Sequence, residues 1–348
     1  MKSTCIRLGV LGAGEYFSLA HLPQLQKPDV PVEVVALCRR SALGLQNMGA
    51  EFPDARLYAR EDGFFAHLPL DAVLISTPHH LHYRQVKEAL GRNLHVLVDK
   101  PLCLCAIQAE ELVHMARERR RVLSVAYSYH YWPHVQQARR LVAQGALGKI
   151  TSVACLGAAH AETSPILDPN SWYQDVEQSG GGSMASGGTH RLEAILWLTG
   201  LRPERLYAFM QGPAPDLDYQ ASLTMQLEGG VPASLLNEAQ GPFWQLELSI
   251  YGEKGALFIR NRSLELFDKT GRLQKLSHWP PEISAVEDFA RAILEGSPLL
   301  TDAEGGYWAV AAIEAAYRSA ACGRAETVRP FSQQRERDGE KTCGLKDR

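Results

Sequence analysis

The sequence predicts an α/β unit followed by an α+β unit, and three observations carry that expectation. Apolar, β-rich runs alternate with helical stretches as far as residue 126. A glycine pair follows the first of these runs directly. Beyond Lys149 the alternation gives way to closely spaced strands separated by Gly, Pro and Asp turns.

The first five runs fall at residues 6–11, 32–38, 72–76, 94–98 and 122–126. Each is continuously apolar, as strands buried on both faces of a parallel sheet are. Helices are expected between them at 17–25, 41–50, 80–90 and 106–118, the last with Leu112, Met115 and Ala116 on one face. Such alternation predicts a doubly wound sheet. A helix at 133–143 follows, with Gly145 and Gly148 where a helix end favours glycine. Strands are expected at 150–158, 204–211, 219–227, 232–239, 245–252 and 255–260 and read as an antiparallel sheet. A helix at 189–198, ending at Gly200, interrupts them, and helices at 285–295 and 302–321 close the fold. The expected units are 1–127, a dinucleotide-binding domain; 128–329, a substrate and oligomerisation domain; and 330–348, a polar tail too poor in apolar residues to order itself.

Composition narrows the function. The chain has 348 residues, 45% hydrophobic and 22% charged, with a formal charge of −3. With no basic excess to neutralise a phosphate backbone, nucleic acid is not an expected partner. No apolar stretch approaches 18 residues, so no membrane span is expected. Cys103 and Cys105 lack a zinc-pair spacing, and the seven scattered cysteines read as reduced thiols of a cytoplasmic protein.

Gly12-Ala13-Gly14 closes the first run and opens a helix. Glycines in that strand–turn–helix setting let the backbone approach a pyrophosphate. Tyr16 and Phe17 complete the loop, and Phe17 takes the place of the usual third glycine. An acidic residue at the end of the second strand would select NAD through the ribose hydroxyls. Here stand Arg39, Arg40 and Ser41. Two guanidiniums and a hydroxyl suit a 2′-phosphate, so NADP(H) is expected over NAD(H), which remains possible. Ser41 also fits a helix N-cap.

Three further motifs lie downstream: Thr77-Pro78-His79-His80-Leu81-His82, Asp99-Lys100-Pro101, and Gly180 to Glu193 with Ser186-Gly187-Gly188-Thr189-His190 inside it. In this order and spacing, with the glycine loop, they resemble the glucose–fructose oxidoreductase, inositol dehydrogenase and rhizopine catabolism protein (Gfo/Idh/MocA) family over residues 4–328. The resemblance implies a Rossmann domain, then an open-faced, mostly antiparallel sheet that forms a homodimer or homotetramer interface. It implies a nicotinamide cofactor and a small sugar, cyclitol or related polyol substrate.

Residue by residue, the family's Glu-Lys-Pro motif falls on Asp99, Lys100 and Pro101. Lys100 inherits contacts to substrate and cofactor, and Asp99 keeps the charge with one methylene fewer. The Asp-x-Gly-x-His motif falls on Ser186 to His190, so His190 inherits the acid/base role. Ser186 replaces an aspartate, and a hydroxyl cannot hold negative charge near neutral pH. By the same resemblance Thr77, Pro78, His79 and His82 line the nicotinamide side. Trp172 falls where the family places a tryptophan commonly followed by arginine; Tyr173 follows here, so an anion contact is missing. Tyr129, Tyr131 and Trp132 are candidates for the cleft wall or for junction packing. Glu193 matches a family aspartate or reads as a helix-surface residue. The histidines of the 79–82 segment have no partner carboxylate or cysteine at metal-ligand spacing, so no metal is expected.

Alcohol oxidation removes a hydride and a proton, and a base with a pKa near working pH must take the proton. His190 starts nearest that range, with Lys100 as electrostatic orienter. The expected activity is NADP(H)-preferring hydride transfer at a hydroxyl or keto carbon of a sugar, cyclitol or sugar derivative. Two alternatives stay open: transient use of the nicotinamide for elimination or glycoside cleavage, and a cofactor-binding scaffold without turnover, motivated by Ser186.

Overall fold

The computed structural model describes residues 5–66, 69–276 and 278–333. The first sheet is built from β1 (Ile6–Leu11), β2 (Val32–Cys38), β3 (Arg56–Tyr58), β4 (Ala72–Ile75), β5 (His95–Asp99) and β6 (Leu123–Ala126). All its pairings are parallel, in the order β3-β2-β1-β4-β5-β6. Its crossovers carry α1 (Glu15–Ala20), α2 (Leu22–Leu25), α3 (Ala42–Glu51), α4 (Glu61–Phe65), α5 (His82–Gly91) and α6 (Ala106–Glu118). The strand order reverses between β1 and β4, which is where doubly wound sheets open a crevice. Both Gly12 and Ser76 end up at that crevice.

After α7 (Pro133–Ala143) come β7 (Ile150–His160), α8 (Val176–Ser179) and α9 (Thr189–Thr199). Seven strands follow: β8 (Pro203–Gln211), β9 (Gln220–Leu227), β10 (Val231–Gly241), β11 (Gln245–Gly252), β12 (Gly255–Arg260), β13 (Ser263–Asp268) and β14 (Leu273–Gln274). Last are α10 (Ala285–Leu294), α11 (Ala303–Cys322) and β15 (Glu326–Thr327). The nine strands run β14-β13-β12-β11-β7-β10-β9-β8-β15. Alternating burial along β9 and β10 gives the sheet one face packed under helices. Tyr207, Phe209, Leu236 and Tyr251 stand exposed on the opposite face.

Several elements refine or depart from the sequence reading. The helix expected at 17–25 breaks into α1 and α2 at His21, because Pro23 lacks the N–H a continuous helix needs. The second sheet is mostly antiparallel as expected, with one parallel pairing, β10 beside β7, whose crossover carries α9, β8 and β9. Strand β13 follows β12 through a two-residue turn at Asn261-Arg262, where Asn261 adopts φ +52° without any glycine. The short β3 and α4 had no periodic signal long enough to read.

The two sheets share apolar packing. One buried cluster contains Val96 and Val125 of the first sheet with Leu206 and Leu235 of the second. Helix α11 lies between them, close enough that a Cβ on Gly306 would sit 2.9 Å from Val125. Helix α10 returns to the far side of the first sheet, where Phe289 and Ala290 join Leu8, Val10 and Ala72. A reciprocal Ser284–Glu287 capping box starts it. The segment expected to be mobile from Pro330 is packed at its start. Phe331 stacks on His114 at 5.3 Å, and Ser332 N–H donates to Glu110 at 2.7 Å. Residues 334–348 of that tail, like residues 1–4, lie outside the described residues.

Candidate active site

At the crevice, Gly12 has φ +84° and its backbone lies against the end of β4. A Cβ there would fall 2.5 Å from the Ser76 carbonyl oxygen, so only glycine fits. Gly14 immediately precedes α1, and Phe17 is fully buried beneath the loop. Tyr16 stays partly exposed, edge-on to the His21 ring. Arg39 Nη1 donates to the Ala13 carbonyl at 3.0 Å, which holds the guanidinium beside the glycine loop. Arg40 is exposed. The Ser41 hydroxyl accepts from Gly44 N–H at 3.2 Å and caps α3.

The segment after β4 is a set of pins. Thr77 Oγ1 donates to Gln85 at 2.5 Å. His82 is wholly buried, with its ring nitrogens 2.7 and 2.9 Å from the carbonyl oxygens of Pro101 and Thr77. Both ring nitrogens thus face backbone oxygens of the loops that follow β4 and β5. His79 is buried too: Nδ1 donates to the Ser179 carbonyl at 2.8 Å, and its ring meets Trp172 edge-on at 4.8 Å. Thr77 and Pro78 are the half-buried members of the segment. Among the described residues no group of three or more His, Cys, Asp or Glu could hold a metal ion.

Asp99 and Lys100 end β5, and the Lys100–Pro101 peptide is cis. Asp99 is buried and accepts from His21 Nε2 at 2.7 Å. Burial pushes its carboxyl up, but His21 and the Ser76 hydroxyl outweigh that and hold it below the usual range. Lys100 is 7% exposed. Burial pushes its ammonium down to about 8, against the pull of Asp99. Its Nζ donates to the Ser186 carbonyl at 3.1 Å, across to the second unit.

Ser186 sits in a wide turn of π type, Met184–Gly188, that runs directly into α9. The Tyr173 hydroxyl bonds the Ser186 side chain, and Trp172 stacks on Tyr173 at 4.0 Å. His190 is in the first turn of α9. Tyr127 meets it edge-on at 5.8 Å and Tyr129 lies tilted at 5.4 Å. Burial, then the cations of Lys100 and Arg191, hold the imidazole well below the ordinary histidine range, so the ring is neutral near pH 7. Its Nδ1 has no partner within the protein.

The structure thus brings Lys100, Ser186, His190, Tyr129, Trp172 and Tyr173 to one cleft, with the glycine loop and Arg39 at the far end of the crevice. Tyr131 is placed elsewhere. Its hydroxyl bonds Thr301 at 2.8 Å inside the core. Glu193 is not on the helix surface: it is buried and paired with His130, whose ring stacks on Trp197 at 4.0 Å.

Sequence reasoning missed His21, Asp218 and Arg191. Asp218 accepts from Tyr317 Oη at 2.6 Å and from Met184 N–H at 2.8 Å, shaping the glycine-rich turn ahead of Ser186. Nothing near His21 or Asp218 in the sequence marks them. Arg191 carries a faint signal, a charge directly after His190 at the start of a helix that turns apolar after Glu193.

The residues of the two units match two family models. Residues 6–127 match an oxidoreductase family with an NAD-binding Rossmann fold. Residues 135–258 match the GFO/IDH/MocA C-terminal domain. An uncharacterized oxidoreductase of Synechocystis is 27% identical over 281 residues, 76% of this chain and 74% of that one. D-xylose 1-dehydrogenase [NADP(+)] of Haloarcula marismortui is 24% identical over 336 residues, 90% and 91% of the two chains. Among solved structures, levoglucosan dehydrogenase in complex with NADH and L-sorbose has the same fold. Its TM-score is 0.83 at 19% identity, over 94% of this chain and 99% of that one.

Proposed function

The chain belongs to the GFO/IDH/MocA family of oxidoreductases, and on that premise we propose that it transfers a hydride at a hydroxyl or keto carbon of a sugar, cyclitol or sugar derivative. One observation carries the reading. Lys100, at the end of a cofactor-domain strand, is hydrogen-bonded to the turn that presents His190. That bond brings a buried cation and a neutral imidazole, the two groups alcohol chemistry calls for, to the same cleft. A nicotinamide bound along the crevice supplies the hydride acceptor or donor. The neutral His190 ring takes the hydroxyl proton during oxidation and returns it during reduction. The Lys100 ammonium donates to the same oxygen and stabilises negative charge that develops on it. Tyr129, Trp172 and Tyr173 wall the cleft and exclude water. Ser186 contributes a hydroxyl and a carbonyl where the family pattern has a carboxylate, so both groups that handle the proton are basic.

The cofactor reading is NADP(H) over NAD(H). Arg39 beside the loop, exposed Arg40 and the absence of a carboxylate in Cys38-Arg39-Arg40-Ser41 support it. A relative named for NADP(+) is consistent with it. No helix among the described residues is long and apolar enough to cross a membrane, which suits a cytoplasmic enzyme. The exposed aromatic face of the nine-stranded sheet is read as the surface on which copies of the chain assemble.

Titration of both cofactors, then absorbance of reduced nicotinamide over a panel of sugars and inositols, tests the proposal. Net cofactor reduction supports it. Product without net reduction, or tighter binding of NAD(H), would overturn the corresponding part.

A further inference from the structure

We propose that this cleft selects substrates bearing a carboxylate, such as uronates, aldonates or carboxylated cyclitols, and that Arg191 is the residue that reads the charge. The inference deepens the hydride-transfer reading of the same cleft and rests on it for the substrate's sugar-like part.

Arg191 follows His190 in α9 and is 2% exposed. Buried cations are ordinarily paired with a carboxylate. Arg191 is not: among the described residues no Asp or Glu makes an ion pair with it. Its Nη1 donates to the Asn237 amide oxygen, its guanidinium bonds the Tyr129 hydroxyl, and its Nε has no partner. Neutral acceptors orient the group without neutralising it.

The placement is built. Asn237 is itself fixed by a 2.8 Å bond to Ser183 Oγ. Strand β7 has glycine opposite the guanidinium. A Cβ on Gly157 would lie 1.7 Å from Arg191 Nε, so any side chain there would evict it. On the other side, a Cβ on Gly187 would lie 3.3 Å from Nη1. The charge therefore sits between Gly157 of β7 and Gly187 of the turn that presents His190. Across protein of low polarisability a unit charge there is felt beyond its immediate contacts.

The carboxylates nearest the cleft are engaged elsewhere: Asp99 by His21, and Glu193 by His130. Lys100 Nζ is held by a backbone carbonyl, and residue 186 is a serine. Two buried cations thus share a site whose nearest carboxylates already have partners. A ligand carboxylate within one sugar ring of the reacting carbon completes the charge balance. Arg191 acts through the Gly187 backbone and the Tyr129 hydroxyl, so it is a specificity-determining residue rather than a participant in proton transfer.

The test uses the full chain saturated with nicotinamide cofactor. D-glucuronate and D-galacturonate are titrated against D-glucose and D-galactose, and against the neutral uronamides, by calorimetry and in turnover. The acids are expected to bind at least about tenfold tighter than their neutral counterparts. Arg191→Lys should keep most of that preference and Arg191→Met should lose it. Equal affinity for acid and neutral ligands, or binding of neither, overturns the proposal. So does a preference that survives in Arg191→Met. If that variant does not fold, the wild-type comparison still decides. Turnover of neutral sugars with no acid preference refutes this inference and leaves hydride transfer standing. Preferential binding of acids without turnover of any ligand does the reverse.

Discussion

Replacing Lys100 by methionine should stabilise the protein near neutral pH while abolishing turnover. Lys100 lies 7% exposed at the end of β5, with Nζ bonded to a single carbonyl. Burial brings its ammonium from the ordinary value of 10.5 to about 8. At 1.36 kcal/mol per decade of proton affinity, holding the charge in the fold costs about 3 kcal/mol. The sign follows from linkage. The folded value lies below the unfolded one, so the cost is full below pH 8 and fades between pH 8 and 10.5. Methionine matches the lysine stem and needs no charge, but it loses the bond to Ser186, which returns about 1 kcal/mol. The net expected gain is about 1–3 kcal/mol at pH 7. For a chain of this size that raises Tm by several degrees. Thermal unfolding without cofactor, at pH 7 and again near pH 10, measures it. The variant should lead at pH 7 and the gap should close at pH 10. A variant less stable than wild type at pH 7, or a gap independent of pH, would refute the account of Lys100 as a buried, destabilised cation.

Three more outcomes are expected. The pH profile of alcohol oxidation should stay flat through pH 6–7, because burial keeps His190 neutral there, and should fall above about 8 as Lys100 loses its proton; an acid limb near 6.5 would contradict it. His21→Ala should cost about 3 kcal/mol by leaving the Asp99 carboxylate buried and unpaired. Burial then lifts that carboxyl above its ordinary range, so in denaturant melts the loss should grow from pH 4 to pH 7. Arg40→Ala should weaken NADPH binding roughly tenfold with NADH binding unchanged, measured by fluorescence titration.

The sheet and the site were legible to different depths. Continuous, β-branched apolar runs of four or five residues, such as 72–75 and 94–98, suit doubly covered strands better than helices, so the parallel sheet was readable. Turn chemistry was less so, because Asn261 makes a hairpin without the glycine that usually announces one. Lys100 and His190 were found through ordered motifs. Their partners were not, since a pair such as His21 and Asp99, 78 positions apart, exists only once the helix break at Pro23 turns His21 toward β5.

The histidines of the 79–82 segment also have a structural role that the sequence did not reveal. His79 and His82 look like a functional cluster because three imidazoles lie within four residues. In the fold His82 bridges the β4 and β5 loops, and His79 ties the first unit to Ser179 of the second. His130, through Glu193 and the Leu300 carbonyl, fastens α9 to the segment ahead of α11. Imidazole suits these posts because each ring is flat enough to pack among aromatics and offers a nitrogen at either edge. Each removes a degree of freedom between the strand that carries Lys100 and the helix that carries His190. A proton-transfer site tolerates little error in that distance, and about 1 Å of misplacement can cost a hundredfold in rate. Most of the histidines around the cleft therefore serve geometry, and His190, in the first turn of α9 with Nδ1 unbonded, is the one proposed to exchange a proton with substrate.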